Sequence, residues 1–489
     1  MLFNSVMFVF LFLPASIAGY FWLSHRKLVL ASELYLCLAS LFFYGYWEPS
    51  NLPIILISIG FNYGVARLIC ARKSINTKQI FLTIGIIVNI LALCYYKYLS
   101  FIIQNLNHLL KGIFTLQNIE SVSLPLGVSF FTFQQIAYLV DCSKKTKEED
   151  PIKYTLFITF FPQLIAGPIV HHSEMMPQLK EIKNKVINHK NFTIGIILFL
   201  IGLLKKTVLA DTFSEYVKYG FEETQRLSVI EGWLVSLSYT FQIYFDFSGY
   251  SDMAIGIGKM FNLNLPQNFN SPYKATSVRD FWKRWHMTLS RFFMDYVYIP
   301  IGGNRRGKVR TYINLWIVFL LTGIWHGASW MFILWGAVHG VGITFNKLIK
   351  DVKVYFGNKR FAINKKLSVF FTFLFINCSW VLFRASGGKQ ARKVLKAMFG
   401  NGDFLLPKIS CFNIQFSTGG HIYKGMIFFM VIAFVLVFLC KNSMEIIQKI
   451  QINSKKQLIV IFGGSIFLFL CSVYKMLSSN YSEFIYFNF

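Results

Sequence analysis

TYINLWIVFLLTGIWHGASWMFILWGAVHGVGITFN, residues Thr311 to Asn346, holds no Asp, Glu, Lys or Arg. As one α-helix its 36 residues would run about 54 Å, far more than the roughly 30 Å of a bilayer's hydrocarbon. The segment is therefore a long tilted helix or a broken one. The break falls at Thr322–Ala328, where small residues flank the imidazole of His326. A helix entering from the basic turn Arg305-Arg306-Gly307-Lys308 carries His326 about 24 Å along its axis, deep in the membrane. An ionisable group at that depth is functional by default, and its alternative is polar glue that hydrogen-bonds between helices.

Apolar runs near the roughly 20 residues that one span needs recur outward from this stretch, at Val6–Trp22, Leu28–Tyr46, Leu52–Leu68, Ile80–Leu99, Leu124–Val140, Tyr154–Val170, Phe192–Leu209 and Trp233–Tyr250. Three more follow at Leu367–Leu382, Met426–Cys440 and Leu458–Tyr474. Span length predicts an all-α, polytopic membrane protein of about 11–13 transmembrane or re-entrant helices. No basic residue precedes Val6–Trp22, so that run reads as a retained span rather than a signal peptide. Composition agrees: of 489 residues 55% are hydrophobic and 15% charged, with mean hydropathy +0.49, against roughly 25% charged in soluble chains. Soluble multidomain organisation and intrinsic disorder are excluded.

The net charge of +27 comes from basic residues set between the apolar runs. That placement points to membrane orientation and anionic lipid headgroups and away from nucleic acid. His25, Arg26 and Lys27 follow the first run, Glu48 alone marks the next turn, and Arg67, Arg72, Lys73 and Lys78 mark the one after. With the basic cluster before the last run and a tail bearing only Glu483, both termini are expected outside. A basic cluster around Lys389–Phe399 fits neither side and reads as an amphipathic helix on the surface. The eight cysteines lack any CxxC spacing, so neither a disulfide framework nor a metal site is indicated.

Asn262–Arg310 is too polar to cross. Within it Val278, Phe281, Trp282, Trp285, Leu289, Phe292 and Tyr296 recur at helical spacing, which predicts an amphipathic helix with His286 on its apolar face. His286 is either a site residue or a histidine satisfied by a neighbouring carbonyl.

Several phrases in chain order resemble the membrane-bound O-acyltransferase family, in its bacterial polysaccharide branch, which includes the alginate O-acetylation membrane protein and peptidoglycan-acetylating relatives. They are Pro125-Leu126-Gly127-Val128-Ser129-Phe130, Phe161-Pro162-Gln163-Leu164-Ile165-Ala166-Gly167-Pro168 and Tyr244-Phe245-Asp246-Phe247-Ser248-Gly249-Tyr250-Ser251-Asp252-Met253-Ala254. Phe281-Trp282-Lys283-Arg284-Trp285-His286, Gly302-Gly303-Asn304-Arg305 and Trp325-His326-Gly327 continue the series. The likeness covers the whole chain, read as one domain over 1–489: N-terminal helices to 120, a motif-bearing core over 121–346, and C-terminal helices with an outward tail from 347.

The resemblance implies helices around a central tunnel in a bacterial inner membrane. It implies transfer of an acetyl group from cytoplasmic acetyl-CoA, with no permanently bound cofactor, toward a hydroxyl of an extracytoplasmic polysaccharide. The polymer, peptidoglycan or alginate or another, stays open, and a secreted SGNH-type acetyltransferase partner could complete delivery. His326 and His286 match the family's motif histidines and are the expected catalytic residues. Asp246, Asp252, Arg284 and Trp325 are supporting candidates; for the aspartates a buried ion pair that ties helices is the alternative. Imidazole suits the base that an acyl transfer from thioester to alcohol requires, and a second histidine or the Trp325 indole suits the oxyanion. Lys274–Arg310, with nine Lys/Arg and two Asp, would serve as a collar for coenzyme A phosphates or bind headgroups alone. The closing Phe484-Ile485-Tyr486-Phe487-Asn488-Phe489 resembles the branch's aromatic signature, which makes Tyr486 a candidate acyl carrier or an interfacial anchor. The rival function from another class is a secondary transporter or polysaccharide export component, because a broken helix with a buried histidine also suits a substrate pathway.

Overall fold

The structure, a computed structural model, describes residues 1–110, 124–144, 150–355, 364–400, 408–410, 413–415, 422–449, 455–478 and 484–485. Among these residues it is predominantly helical, with a small antiparallel sheet of Lys408–Ser410, Asn413–Gln415 and Ile422–Tyr423. Among the described residues six helices are individually long and apolar enough to cross a membrane, and a bent pair at Met426–Lys449 makes a seventh. The apolar helices Val29–Gly45 and Phe462–Ser478 are shorter. Large apolar side chains stay exposed along these helices, for example Ile57, Leu91, Phe371 and Leu470, which suits hydrocarbon as the surrounding solvent. The protein is a multi-pass membrane protein.

The chain divides into two compact units. The first, Met1–Phe199 with Tyr250–Pro266, solves the problem of polar groups in an apolar interior by pairing them. Asn62 and Asn89 exchange side-chain amide hydrogen bonds at 3.2 and 2.7 Å, and Asn62 also donates to Gln135 at 2.8 Å. This cluster ties helices Asn51–Ala71, Ile75–Leu93 and Val128–Lys144 as polar glue. The buried Glu33 carboxylate meets Lys185 at 2.5 Å and Lys153 at 3.4 Å. Tyr154–Val170, expected as one span, is instead two helices, Pro151–Thr159 and Phe161–Leu164, with a buried loop beyond. Pro162 and the extended backbone of Phe160 interrupt the helix. Gly127, at φ +69°, lies against that loop, where an added Cβ would stand 3.0 Å from the Leu164 carbonyl. Two of the quoted phrases thus meet backbone to backbone.

The second unit comprises Leu200–Gly249 and Gln267–Phe489. Here the 36-residue apolar stretch is broken at the expected place: one helix runs Gly307–His326 and the next starts at Trp330. The two pack closely because Gly323 and Gly336 face each other; a Cβ on either would lie 3.2 Å from the other's Cα, and one on Gly336 would lie 2.5 Å from the Phe319 carbonyl. Small residues that admit backbone contact are the usual means of joining helices in lipid. Helix Lys365–Arg384 joins through Asn377, which bridges Thr240 and Ser236 of helix Val229–Met260 at 2.6 and 2.8 Å. The expected amphipathic helix is present at Gly388–Met398, with Ala391, Val394, Ala397 and Met398 buried and Lys389, Arg392 and Lys396 exposed.

Gly336→Val should separate the two helices. We expect a loss of about 1–3 kcal/mol from overpacking, read as a lowered unfolding temperature in detergent.

Candidate active site

Trp325 and His326 form the last turn of helix Gly307–His326, and Gly327 follows in an extended conformation that ends it. The His326 ring, 3% exposed as a residue, is enclosed by aromatic faces and edges: Trp325 at 4.9 Å, Phe383 at 5.0 Å and Trp335 at 5.1 Å between ring centres. Leu382, the neighbour of Phe383, opens onto a groove of about 440 Å³ shared with Met331, Leu334 and helix Gly388–Met398, with Arg392 and Lys396 among its walls.

His286 reaches the same indole from another element. Its ring centre lies 6.2 Å from that of Trp325. The single amphipathic helix expected over Val278–Tyr296 is in fact two, Val278–Trp282 and Met287–Phe293, with His286 at the break. The cause is a pair of long-range main-chain bonds: Asn270 donates to the Arg284 carbonyl at 2.9 Å, and Met287 donates to the Asn268 carbonyl at 3.0 Å. They pull His286 into the left-handed region, φ 45° and ψ 53°, unusual for a residue with a Cβ. The expected apolar face is nevertheless buried, including Phe281, Trp285, Leu289 and Phe292.

The protonation of His286 follows from its partner. Asn268 Oδ1 accepts from the Thr288 N–H at 3.3 Å and the Thr288 hydroxyl at 3.0 Å, and it lies 3.0 Å from His286 Nδ1. An oxygen that accepts from a main-chain N–H cannot donate, so Nδ1 carries the proton and the lone pair sits on Nε2. His286 lies outside the membrane-spanning helices, and complete burial pushes its pKa down to about 3. It is a neutral imidazole at any physiological pH.

A third histidine, His339, was not legible as distinct in the sequence. It accepts from Trp282 Nε1 at Nδ1 (3.1 Å), and its Nε2 lies 3.1 Å from the Ser379 hydroxyl, which itself donates to the Ile376 carbonyl. Both ring nitrogens are used for cohesion between helices, the satisfied-core role.

The remaining candidates separate. Asp246 is buried in the second unit, 2.6 Å from Lys206 Nζ, which also lies 3.0 Å from Asp211. Asp252 is buried in the part of the helix that belongs to the first unit. Arg284 pairs with Asp280 at 2.9 Å in a partly exposed i,i+4 bridge. In the basic collar, Arg279, Lys283, Arg305, Arg306, Lys308 and Arg310 are exposed. Tyr486 lies outside the described residues. Lys206, Asn268 and Phe247, whose ring lies 4.6 Å edge-on from His286, were not singled out from sequence. Lys206 had a signal, being a lysine inside an apolar run. Among the described residues no group of His, Cys, Asp and Glu has the geometry to hold a metal ion.

The sequence model of the MBOAT, or membrane-bound O-acyltransferase, family matches residues 76–353. A peptidoglycan O-acetyltransferase of Helicobacter pylori is 42% identical, over all of this chain and 98% of that protein. A probable alginate O-acetylase, AlgI, of Pseudomonas aeruginosa is 34% identical over 89% of this chain and 81% of its own. A teichoic acid D-alanyltransferase of Bacillus subtilis is 28% identical over 53% of this chain.

Because Asn268 sets the tautomer of His286, the two side chains act as a unit. Asn268→Ala and His286→Ala should each lower acyl transfer, and the double variant should be little worse than His286→Ala alone, a coupling read directly from a double-mutant cycle. Additive losses would place the two in separate roles.

Proposed function

The chain belongs to the membrane-bound O-acyltransferase family, and from that premise we propose that it carries acetyl groups from cytoplasmic acetyl-CoA to hydroxyls of an extracytoplasmic cell-wall polysaccharide, peptidoglycan. Membership makes it an enzyme of acyl transfer and sets aside the transporter reading. The full-length likeness to a peptidoglycan O-acetyltransferase supports that acceptor over alginate, where the likeness is lower and less complete.

The observation that carries the mechanism is the grouping of His286, Trp325 and His326 in one buried aromatic site. His326 is the general base: it takes the proton of the attacking hydroxyl as that oxygen bonds to the thioester carbonyl carbon. The tetrahedral oxyanion then collapses, the carbon–sulfur bond breaks, and the coenzyme A thiolate takes the proton from the imidazolium. The Trp325 indole N–H is the oxyanion donor, since His286, with its proton engaged by Asn268, presents an acceptor instead. His286 orients the reacting groups. The aromatic enclosure keeps water from competing for the thioester.

The exposed cations of Lys274–Arg310 receive the coenzyme A phosphates on the cytoplasmic side of a bacterial inner membrane, and both termini face out. In this reading no cofactor stays bound. Tyr486 is the acyl carrier: its hydroxyl accepts the acetyl group as an ester and passes it onward, to the polymer or to a secreted SGNH-type transferase.

His326→Ala should lower peptidoglycan acetylation by on the order of 10²–10⁴-fold while the protein still accumulates in the membrane, measured by base-labile acetate on purified muropeptides. Near-normal acetate with confirmed expression would remove the base assignment. Tyr486→Phe, which keeps the aromatic surface and deletes the hydroxyl, should also abolish polymer acetylation; mass spectrometry of the wild-type tail peptide should find an acetyl group on Tyr486 when onward transfer is blocked. Full activity of Tyr486→Phe would leave direct transfer at His326 as the route.

A further inference from the structure

Ile485 donates its main-chain N–H to Asp246 Oδ2 at 2.8 Å, and the Phe484 side chain is 1% exposed with its ring centre 5.8 Å from that of Phe247. We propose that Asp246 and Phe247 form a socket for the tail, in which a buried carboxylate captures the main chain at Ile485 while Phe247 grips Phe484. This fixes the segment leading into Tyr486 beside the two-histidine site. The role rests on the carrier reading of Tyr486.

The two oxygens of Asp246 explain why the socket calls for a backbone donor. Lys206 Nζ lies within ion-pair distance of both Asp246 and Asp211, and Asp246 and Lys206 are both almost fully buried. A carboxylate has lone pairs on both oxygens, and the ammonium lies at Oδ1. In an apolar interior Oδ2 then needs a further donor. The tail amide supplies one, as a charge-assisted bond stronger than an amide–amide bond.

An ion pair serving only to tie helices would have no need of the tail. Here the carboxylate divides its two oxygens between helix and tail. Helix Lys455–Ser478 packs against the short π-helix Lys205–Ala210 that bears Lys206. Phe247 connects the socket to the chemistry: one ring touches Phe484 of the tail and stands edge-on to His286. Asp246 is thus a positioning residue for the carrier segment. The contact at Ile485 is made by main chain alone, so the side chain at 485 is not what Asp246 reads.

Hydrogen exchange on the full-length protein in detergent tests the socket independently of activity. Ile485→Pro removes the donor N–H and leaves every helix intact. Peptides spanning Leu477–Phe489 should then exchange faster by about tenfold or more, as expected for a lost hydrogen bond to a charged group, with the helices unchanged and polymer acetylation reduced. Asp246→Asn should give the same change in the tail, and Ile485→Ala should match wild type. Unchanged tail exchange in Ile485→Pro would overturn the socket. Faster exchange with full polymer acetylation would overturn its positioning role. Failure of the carrier reading itself would appear separately, as full activity of Tyr486→Phe with the tail still protected.

Discussion

Two glycines, Gly323 and Gly336, hold the backbones of adjacent helices in contact, and the site depends on that contact. Lipid gives packed helices no hydrophobic drive toward one another, so close approach of their backbones must supply dispersion. The approach turns the chain sharply at Gly327. It also brings Trp335, one residue from Gly336, against the ring of His326. A wider helix pair would draw the Trp335 wall away from the imidazole.

The same apolar surroundings govern every polar group. In the first unit, amide groups satisfy one another across three helices and Glu33 is neutralised by two lysines. In the second unit, His339 uses both nitrogens for cohesion. Asp246 divides its oxygens between a lysine and the tail. His286 has its proton assigned by Asn268. Burial of a polar atom without a partner costs enough to be avoided, so tracing the partners distinguishes His339, with both nitrogens bonded between helices, from His286, whose proton is fixed by Asn268.

The membrane fold was legible because apolar runs carry their own length requirement, and the break before Gly327 was legible because small residues accumulate there. The split of the amphipathic helix at His286 was not. Its cause is main-chain bonding from Asn268 and Asn270, and such bonds leave no trace in side-chain periodicity. The broken run at Tyr154–Val170 contains Pro162, a visible signal outweighed by the surrounding hydrophobicity. His286, Trp325 and His326 were each identifiable by type and motif, and their meeting at one indole is a property of the tertiary fold. Asp246 could be named but its tail contact could not, since a bond to a main-chain N–H does not depend on which residue stands at 485.

The left-handed backbone at His286 sets two requirements in opposition at a single residue. Glycine and asparagine tolerate that conformation best, and neither carries an imidazole. Replacement by either would ease the local geometry and, on the proposed role, remove the ring that orients the reacting groups. A full substitution scan at this position would therefore rank residues in one order for persistence of the fold and in a different order for turnover. On the proposed role histidine, behind glycine and asparagine on the first scale, would head the second. Such a divergence marks a residue retained for what its ring does rather than for how its chain bends.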